Sequence, residues 1–163
     1  MSNQSRFILA HAAQLLVLAY KECITEYQQV LPLKLSIGHD APDSYAALKS
    51  QAAQGNLKVS TEHNDTSIYG ASGNLTFRIF HDYGHLLYDA EFTTEQEVSL
   101  ANTQWLDLKR YLPAEWVNVC HVIYLADTVE QSKYEAATGN FPEDQKGFVM
   151  GFLERYFAAQ WVA

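Results

Sequence analysis

The chain contains 163 residues, of which 48% are hydrophobic, and it carries a formal net charge of -8 at neutral pH. This length is enough to bury a substantial core in one folded unit, so we predict a single domain spanning residues 1–163. The negative charge argues against nucleic acid or an anionic membrane surface as the main partner, because both would repel the chain.

The first predicted element is a helix from about Ser5 to Gln29, which Pro32 brings to an end. Its apolar run, Phe7 to Tyr20, is too short to span a bilayer and lacks the basic start and cleavage site of a signal peptide. We therefore predict a buried helix and no integral membrane association. Because Cys23 in this helix and the distant Cys120 form no CxxC motif, we expect free thiols and a cytoplasmic location.

Two short segments, residues 33–37 and 57–60, each permit a strand, so we expect at most a small β-hairpin. The helix between them is predicted from about Asp43 to Gln54, with Gly55 closing it. The rest of the chain is typical of helices, and the predicted fold is a mainly α bundle of about five to six helices. The later helices are expected from Leu75 to about Asp89, from Thr93 through Tyr111, from Pro113 to about Thr138, and from about Pro142 onward.

The helix after Asn74, whose side chain can cap the first free amides, carries His81 and His85 four residues apart. This spacing puts both imidazoles on one helical face, where their nitrogens can bind the same transition metal. Gly84 lies between them and leaves room for another backbone or a ligand. A carboxylate from a neighbouring element would complete the ligand set, and Glu97 is the candidate.

Glu97 has an equally good structural interpretation at the start of the next helix. Thr94 and Glu97 fit a capping box, in which the glutamate bonds back to the amide of the capping residue. Glu91 and Glu95 are nearby carboxylates that could replace it as a ligand. The sequence leaves the two roles of Glu97 open.

Asp82 and Asp127 are the candidate catalytic residues, and each has a structural alternative. Asp82 lies one turn after Arg78, so an ion pair with Arg78 or a contact that orients a histidine is a better interpretation than direct ligation. Asp127 shares a helical face with Tyr124 and Gln131. A buried carboxylate there would cost free energy unless it served the site as a ligand, a proton carrier or a neighbour of a ligand.

Two further histidines have weaker claims to the site. His121 lies in an apolar helix, where a packing role is the better interpretation, and His63 falls in a predicted loop between residues 56 and 73. Loops near a site often carry function, so His63 stays a candidate.

The spacing His81-Asp82-x-x-His85-x11-Glu97 resembles the metal-binding signature of the coenzyme Q biosynthesis protein 4 family. These helical proteins are implicated in processing the head group of a ubiquinone precursor. The resemblance covers seventeen residues and implies that His81, Asp82, His85 and Glu97 are metal-site residues that hold a divalent ion such as zinc. The segment from His81 to His85 is also similar to the central His-Asp of HD-domain phosphohydrolases, whose metal is held by a separate upstream histidine and downstream aspartate as well.

The leading hypothesis is a metal-binding helical protein that acts as a divalent-metal-dependent enzyme on a small molecule. Zinc is the first choice of metal, with iron or manganese as alternatives. An HD-type phosphohydrolase is the second hypothesis, and a non-catalytic accessory or phage-type protein with a structural metal site is the third. A closed shell of four protein ligands would favour the structural role, whereas an open coordination position facing a pocket would favour an enzyme.

Overall fold

The computed structural model describes residues 3–62 and 67–160, and within them the chain is mainly helical. This confirms the predicted mainly α fold with a minor β component. There are six α-helices in the described residues if the continuous run from 117 to 138 is counted once. The elements are α1 (Asn3–Val30), β1 (Lys34–Ile37), α2 (Tyr45–Ala53), β2 (Asn56–Val59), α3 (Gly70–Tyr88), α4 (Thr94–Leu108), α5 (Val117–Leu125), α6 (Gln131–Thr138) and α7 (Gln145–Gln160).

The long helix α1 supplies one side of the core and packs against α3, α4, α5 and α7. By length and composition alone, α1 is apolar enough to cross a membrane, and it is longer than the predicted apolar run. In this fold its inner side is buried against the other helices, while Phe7 and Leu18 are exposed on its outer side. The buried residues of α1 are Leu9, Ala12, Ala13, Leu16, Ala19, Tyr20, Cys23, Ile24 and Tyr27.

Both cysteines lie in this core as free thiols. Burial raises the pKa of Cys23 and of Cys120 to about 12. Because the thiolate is the reactive form of cysteine, these two side chains act as packing residues in the described fold.

The two strands pair in parallel, with Lys34 opposite Asn56 and Ile37 opposite Val59. A hairpin turn can join only antiparallel strands, so α2 makes the connection between them instead. Ser44 caps the first turn of α2 through its hydroxyl. The segment that contains β1, α2 and β2 packs against α3. Its residues Ala41, Pro42 and Ser60 line a pocket that also contains His81 and His85.

Helix α3 begins at Gly70, about one turn before the predicted start. Asn74, the predicted cap, is therefore buried inside the helix and does not cap it. The earlier start of the helix has a local cause. Gly70 has a φ of +69°, a conformation that glycine adopts at little cost, and this lets the chain enter the helix earlier. Gly73 then allows close contact with α1, since a Cβ atom there would lie 2.9 Å from a methyl group of Val17.

The helix predicted from Pro113 to Thr138 contains two irregular turns. A 3-10 turn at Ala114–Trp116 precedes α5, and a π-helical turn at Ala126–Glu130 separates α5 from α6. A π turn adds a residue to the helical repeat, so the faces of α5 and α6 are offset around the helix axis. Gly139 ends the run with a φ of +77°, as predicted.

Candidate metal site

Two imidazoles of α3 and one carboxylate of α4 converge. His81 Nε2 lies 3.1 Å from Glu97 Oε2, His85 Nε2 lies 3.2 Å from Glu97 Oε1, and the two Nε2 atoms are 3.1 Å apart. Two ligand atoms that each lie about 2.0–2.1 Å from one ion are about 2.9 Å apart when the ligand–metal–ligand angle is a right angle. They are about 3.3 Å apart when this angle is tetrahedral. The observed distances fall between these values, so one divalent ion fits this triad. No second group of this kind occurs in residues 3–62 and 67–160.

His85 is oriented by the end of its own helix. Asp89 adopts a left-handed conformation, with a φ of 50°, and α3 ends there. Ala90 then donates its N–H to the His85 carbonyl at 3.1 Å and places its own carbonyl 2.7 Å from His85 Nδ1. Because a carbonyl can only accept, Nδ1 carries the proton of this bond, and Nε2 is the ring nitrogen that faces the triad. Metal-binding histidines are commonly oriented by such a bond.

Glu97 does not cap α4, because the cap lies one residue earlier than predicted. Thr93 Oγ1 accepts from the N–H of Gln96 at 3.4 Å, and Gln96 Oε1 accepts from the N–H of Glu91 at 2.7 Å. Glu97 follows this first turn, and its two carboxylate oxygens contact the two histidines. Of its two predicted roles, the geometry therefore supports the ligand.

The pKa values in the triad reflect the attraction between its opposite charges. Burial raises the pKa of Glu97, but hydrogen bonds from His81 and His85 outweigh this effect and lower the pKa to about 2. Burial lowers the pKa of His81, whereas the Glu97 carboxylate raises it, and the net shift is upward. The carboxylate thus stabilises positive charge at the position where an ion would bind, so a proton and a metal ion compete there.

Gly84 leaves room for a side chain of α4. Gln104 is fully buried against it and donates from Nε2 to the Phe80 carbonyl at 2.8 Å. Gln104 Oε1 is buried without a hydrogen-bond partner in the described part of the chain. Gln104 therefore fills the space between the two helices that carry the triad.

We expect Gly84→Ala to destabilise the protein, because a Cβ atom at this position would lie 2.3 Å from Gln104 Nε2. Overpacking of this kind costs about 1–3 kcal/mol, which exceeds the helix-propensity gain of about 1 kcal/mol from replacing glycine. Urea unfolding curves measure the difference. Gly151→Ala is the matched control, since a Cβ atom there makes only an ordinary 3.5 Å contact with Arg155. Equal stability changes in both variants would contradict the close approach.

A pocket of about 420 Å³ adjoins the triad and is lined by all three of its residues. Asp82 and Asp127, the two candidate catalytic residues, line the same pocket. A second pocket of about 1300 Å³ shares Asp127 with it. The structure therefore brings the five predicted site residues to one pocket, although only three of them form the triad.

Asp82 is next to His81 in the chain but makes no hydrogen bond or ion pair within the described residues. Arg78, its predicted partner, donates instead to the backbone carbonyls of Ser60 and Glu62, at 3.2 and 2.6 Å. Burial raises the pKa of Asp82 to about 6. The Asp82 carboxyl is thus available to a molecule in the pocket.

Asp127 lies in the π turn, where its Oδ1 accepts from Gln131 Nε2 at 2.9 Å. Burial raises the pKa of Asp127 to about 7, although the hydrogen bond from Gln131 and the hydroxyl of Tyr69 lower it. Tyr124, which was expected on the same face, donates to the carbonyl of Ala101 at 3.1 Å. Its hydroxyl is therefore part of the contact between α5 and α4.

The remaining candidates lie elsewhere. His121 stacks on Trp105, with ring centroids 4.4 Å apart, and does not line the pocket. Glu91 and Glu95 are exposed and outside the triad. His63 lies outside the described residues.

Sequence reasoning did not identify the roles of Ala90 and Gln104. An amide among the apolar residues of an inner helical face is a signal for a buried hydrogen bond, and Gln104 has this signal. Aspartate is one of the few residues that tolerate the left-handed conformation seen at Asp89. Nothing in the sequence, however, connects that turn to the ring of His85.

We compared the chain with protein-family models, curated proteins and solved structures, and none of the three comparisons gave a match. The functional assignment therefore depends on the geometry and chemistry of the site.

Proposed function

We propose that this protein binds one divalent transition-metal ion through His81, His85 and Glu97 and acts as a metal-dependent enzyme on a small molecule. The observation that carries the proposal is the convergence of three ligand atoms beside a pocket of about 420 Å³. Catalytic zinc sites have three protein ligands and an open position, whereas structural sites have four. Three ligands next to a pocket fit the catalytic arrangement.

The donor set limits the choice of metal. Two imidazoles and one carboxylate are used by catalytic zinc sites and by non-haem iron(II) sites that retain open positions. Zinc is our first choice and iron(II) or manganese(II) the alternatives. When bound, such an ion would polarise a ligand oxygen and lower the pKa of a bound water.

Two carboxyl groups of this chain would handle protons in the pocket. Burial raises the pKa of Asp82 to about 6 and that of Asp127 to about 7. An acid–base group is most effective when its pKa is close to the working pH, because both protonation states are then populated. We propose that these two groups exchange protons with the small molecule, while the triad would hold a metal ion beside it.

The resemblance to the coenzyme Q biosynthesis protein 4 signature implies that His81, Asp82, His85 and Glu97 are metal-site residues, and three of these four residues form the triad. The HD-type alternative has less support, because Asp82 is not in the triad. A structural ion site would require a fourth protein ligand, and only three groups converge in the described residues. A nucleic-acid partner stays disfavoured by the net charge of -8.

Elemental analysis of the purified protein, followed by Glu97→Gln, tests this proposal. Glutamine keeps the shape of the side chain but removes the charge that offsets the charge of the ion. The Thr93 cap does not involve Glu97, so α4 should form normally in the variant. The metal affinity should fall by about tenfold or more, because one charge-assisted interaction with the ion is lost. Titration with zinc in a competing chelator measures the affinity.

Glu95→Gln, two residues away and exposed, is the matched control and should bind metal as the wild type does. If Glu97→Gln and wild type bind zinc equally tightly, Glu97 is not a ligand. If the wild type takes up none of zinc, iron and manganese, the proposed function fails.

A further inference from the structure

The turn that orients His85 is itself bonded to another helix. Tyr45, the first residue of α2, donates from its hydroxyl to Asp89 Oδ1 at 2.6 Å. Asp89 ends α3 in the left-handed conformation, and the next residue, Ala90, places its carbonyl 2.7 Å from His85 Nδ1. A continuous series of contacts therefore joins α2 to one residue of the triad.

The left-handed conformation makes this turn sensitive to its surroundings. Residues with a Cβ atom adopt it at a cost, and Asp89 is the one non-glycine residue with a positive φ in the described part of the chain. The Asp89 side chain is 84% exposed, and its ion pair with the exposed Lys49, at 3.8 Å, contributes little to stability. The hydrogen bond from Tyr45 is therefore the main interaction that holds the Asp89 side chain.

Tyr45 is fixed on its own side of this bond. Ser44 caps the helix at the preceding position, and only 9% of Tyr45 is exposed. The Tyr45 ring lies near the rings of His85 and Phe92, with centroids 6.4 and 6.2 Å away, and the Phe92 ring meets His85 edge-on at 4.5 Å. A buried side chain next to a helix cap can position the group to which it donates.

The position of the Ala90 carbonyl determines which way the imidazole of His85 faces. While the carbonyl accepts from Nδ1, the opposite nitrogen, Nε2, lies 3.2 Å from Glu97 and 3.1 Å from His81. If the turn relaxed, Nδ1 would lose its acceptor and the ring would be less well fixed. Loss of an orienting partner of this kind weakens metal binding.

We propose that Tyr45 is a positioning residue of the metal site, which holds the turn at Asp89 so that the Ala90 carbonyl keeps His85 Nε2 directed into the triad. This inference rests on the proposed function, in which His85 is a metal ligand. Tyr45 is not in the triad and is not among the residues that line the pocket, so it acts through Asp89 and Ala90.

Two measurements on Tyr45→Phe test the inference, because this variant keeps the ring and removes the donor. In the metal-free protein, NMR with nitrogen-15-labelled histidine follows the exchange of the His85 Nδ1–H with water. This proton should exchange about tenfold faster in the variant, since its acceptor is held less firmly. Zinc affinity, from titration against a competing chelator, should fall by about threefold to tenfold, which is the range that one net hydrogen bond provides.

Variants of Asp89 separate the turn from the hydrogen bond. Asp89→Gly adopts the left-handed conformation freely but offers no acceptor, so it should resemble Tyr45→Phe. Asp89→Asn keeps both the acceptor and the tolerance of this conformation and should bind zinc as the wild type does. Asp89→Val, whose branched side chain disfavours the conformation, should lose roughly 10–100-fold in zinc affinity.

The double variant Tyr45→Phe/Asp89→Gly tests whether the two residues act through one bond. If they do, the double variant should bind zinc as tightly as Asp89→Gly alone, because the bond is already lost in that variant. Effects that add fully in the double variant overturn the inference.

Tyr27→Phe is the matched control, since it removes a comparable bond of 2.8 Å from a buried tyrosine to Asp107, near the other end of α4 from Glu97. It should leave the exchange of the His85 Nδ1–H and the zinc affinity unchanged. An exchange rate in Tyr45→Phe no faster than in Tyr27→Phe overturns the inference, even if the variant is less stable.

If Tyr45→Phe does not fold, Asp89→Gly decides in the same way, because it removes the acceptor of the same bond from an exposed position. Failure of the wild type to take up zinc, iron or manganese would overturn the proposed function. The exchange measurement on the metal-free protein would then still decide whether Tyr45 positions His85.

Discussion

His85→Ala is expected to abolish the stabilisation of the protein by divalent metal. Removal of a residue that only orients a ligand typically lowers metal affinity by roughly 10–100-fold. His85→Ala removes one of the three ligands themselves, so its metal affinity should fall by more than this. A metal present at about 100 times its dissociation constant stabilises the folded state by about 2.7 kcal/mol. Thermal midpoints with chelator and with zinc should therefore differ for the wild type and coincide for His85→Ala.

The variant should also be less stable than the wild type in chelator. Ala90 loses the partner that lies 2.7 Å from its carbonyl, and an unsatisfied buried acceptor costs about 1–3 kcal/mol. His39→Ala is the control, because His39 is exposed and outside the triad, and it should keep the full response to zinc. A zinc response in His85→Ala as large as in the wild type would remove His85 from the site.

The helical fold was predictable because the local signals are strong. Ser44 and Thr93 cap their helices with side-chain oxygens, and Gly139 ends a helix in the left-handed conformation. Helix starts that lack such a cap were harder to predict. α3 begins after Tyr69 without a side-chain cap, and the polar Asn74 inside it resembled a cap in the sequence.

The site was predictable in part for a similar reason. The spacing of His81 and His85 depends only on the geometry of one helix, so it could be recognised in the sequence. The contribution of Glu97 required knowledge of how α4 packs on α3, which Gln104 and Gly84 help to determine. No local pattern encodes a distance between two helices, and for this reason the role of Glu97 stayed open.

The π turn was not predictable from the pattern of apolar residues, because the same residues fit an uninterrupted helix. The turn offsets α6 from α5 and carries Asp127 at the pocket. Such turns often occur at functional sites, which agrees with the role proposed for Asp127.

Asp127→Asn is expected to make the protein more stable relative to the wild type as the pH rises. Burial raises the folded-state pKa of Asp127 to about 7, whereas an unfolded aspartate titrates near about 3.9. The neutral acid contributes favourably to the free energy of unfolding. This contribution is complete when the pH is below the unfolded pKa, and it is lost as the pH rises through the folded pKa. The loss approaches about 4 kcal/mol for a shift of about 3 units, and roughly 2–3 kcal/mol of it falls between pH 5 and pH 8.

Asparagine is neutral throughout this range and can still accept the bond from Gln131, so the variant should not lose stability in this way as the pH rises. Urea unfolding of both proteins at pH 5 and pH 8 measures the difference, and all other titrating groups cancel in the comparison. Asp40→Asn is the control, because a hydrogen bond from Lys58 lowers the pKa of Asp40, so its stabilisation is lost only in acid, below the unfolded pKa of about 3.9, and its difference from the wild type should stay constant from pH 5 to pH 8. A stability difference between wild type and Asp127→Asn that stays constant from pH 5 to pH 8 would show that Asp127 is not held near neutrality. Asp127 could then no longer serve as the acid–base group of the pocket, and the proton chemistry would fall to Asp82.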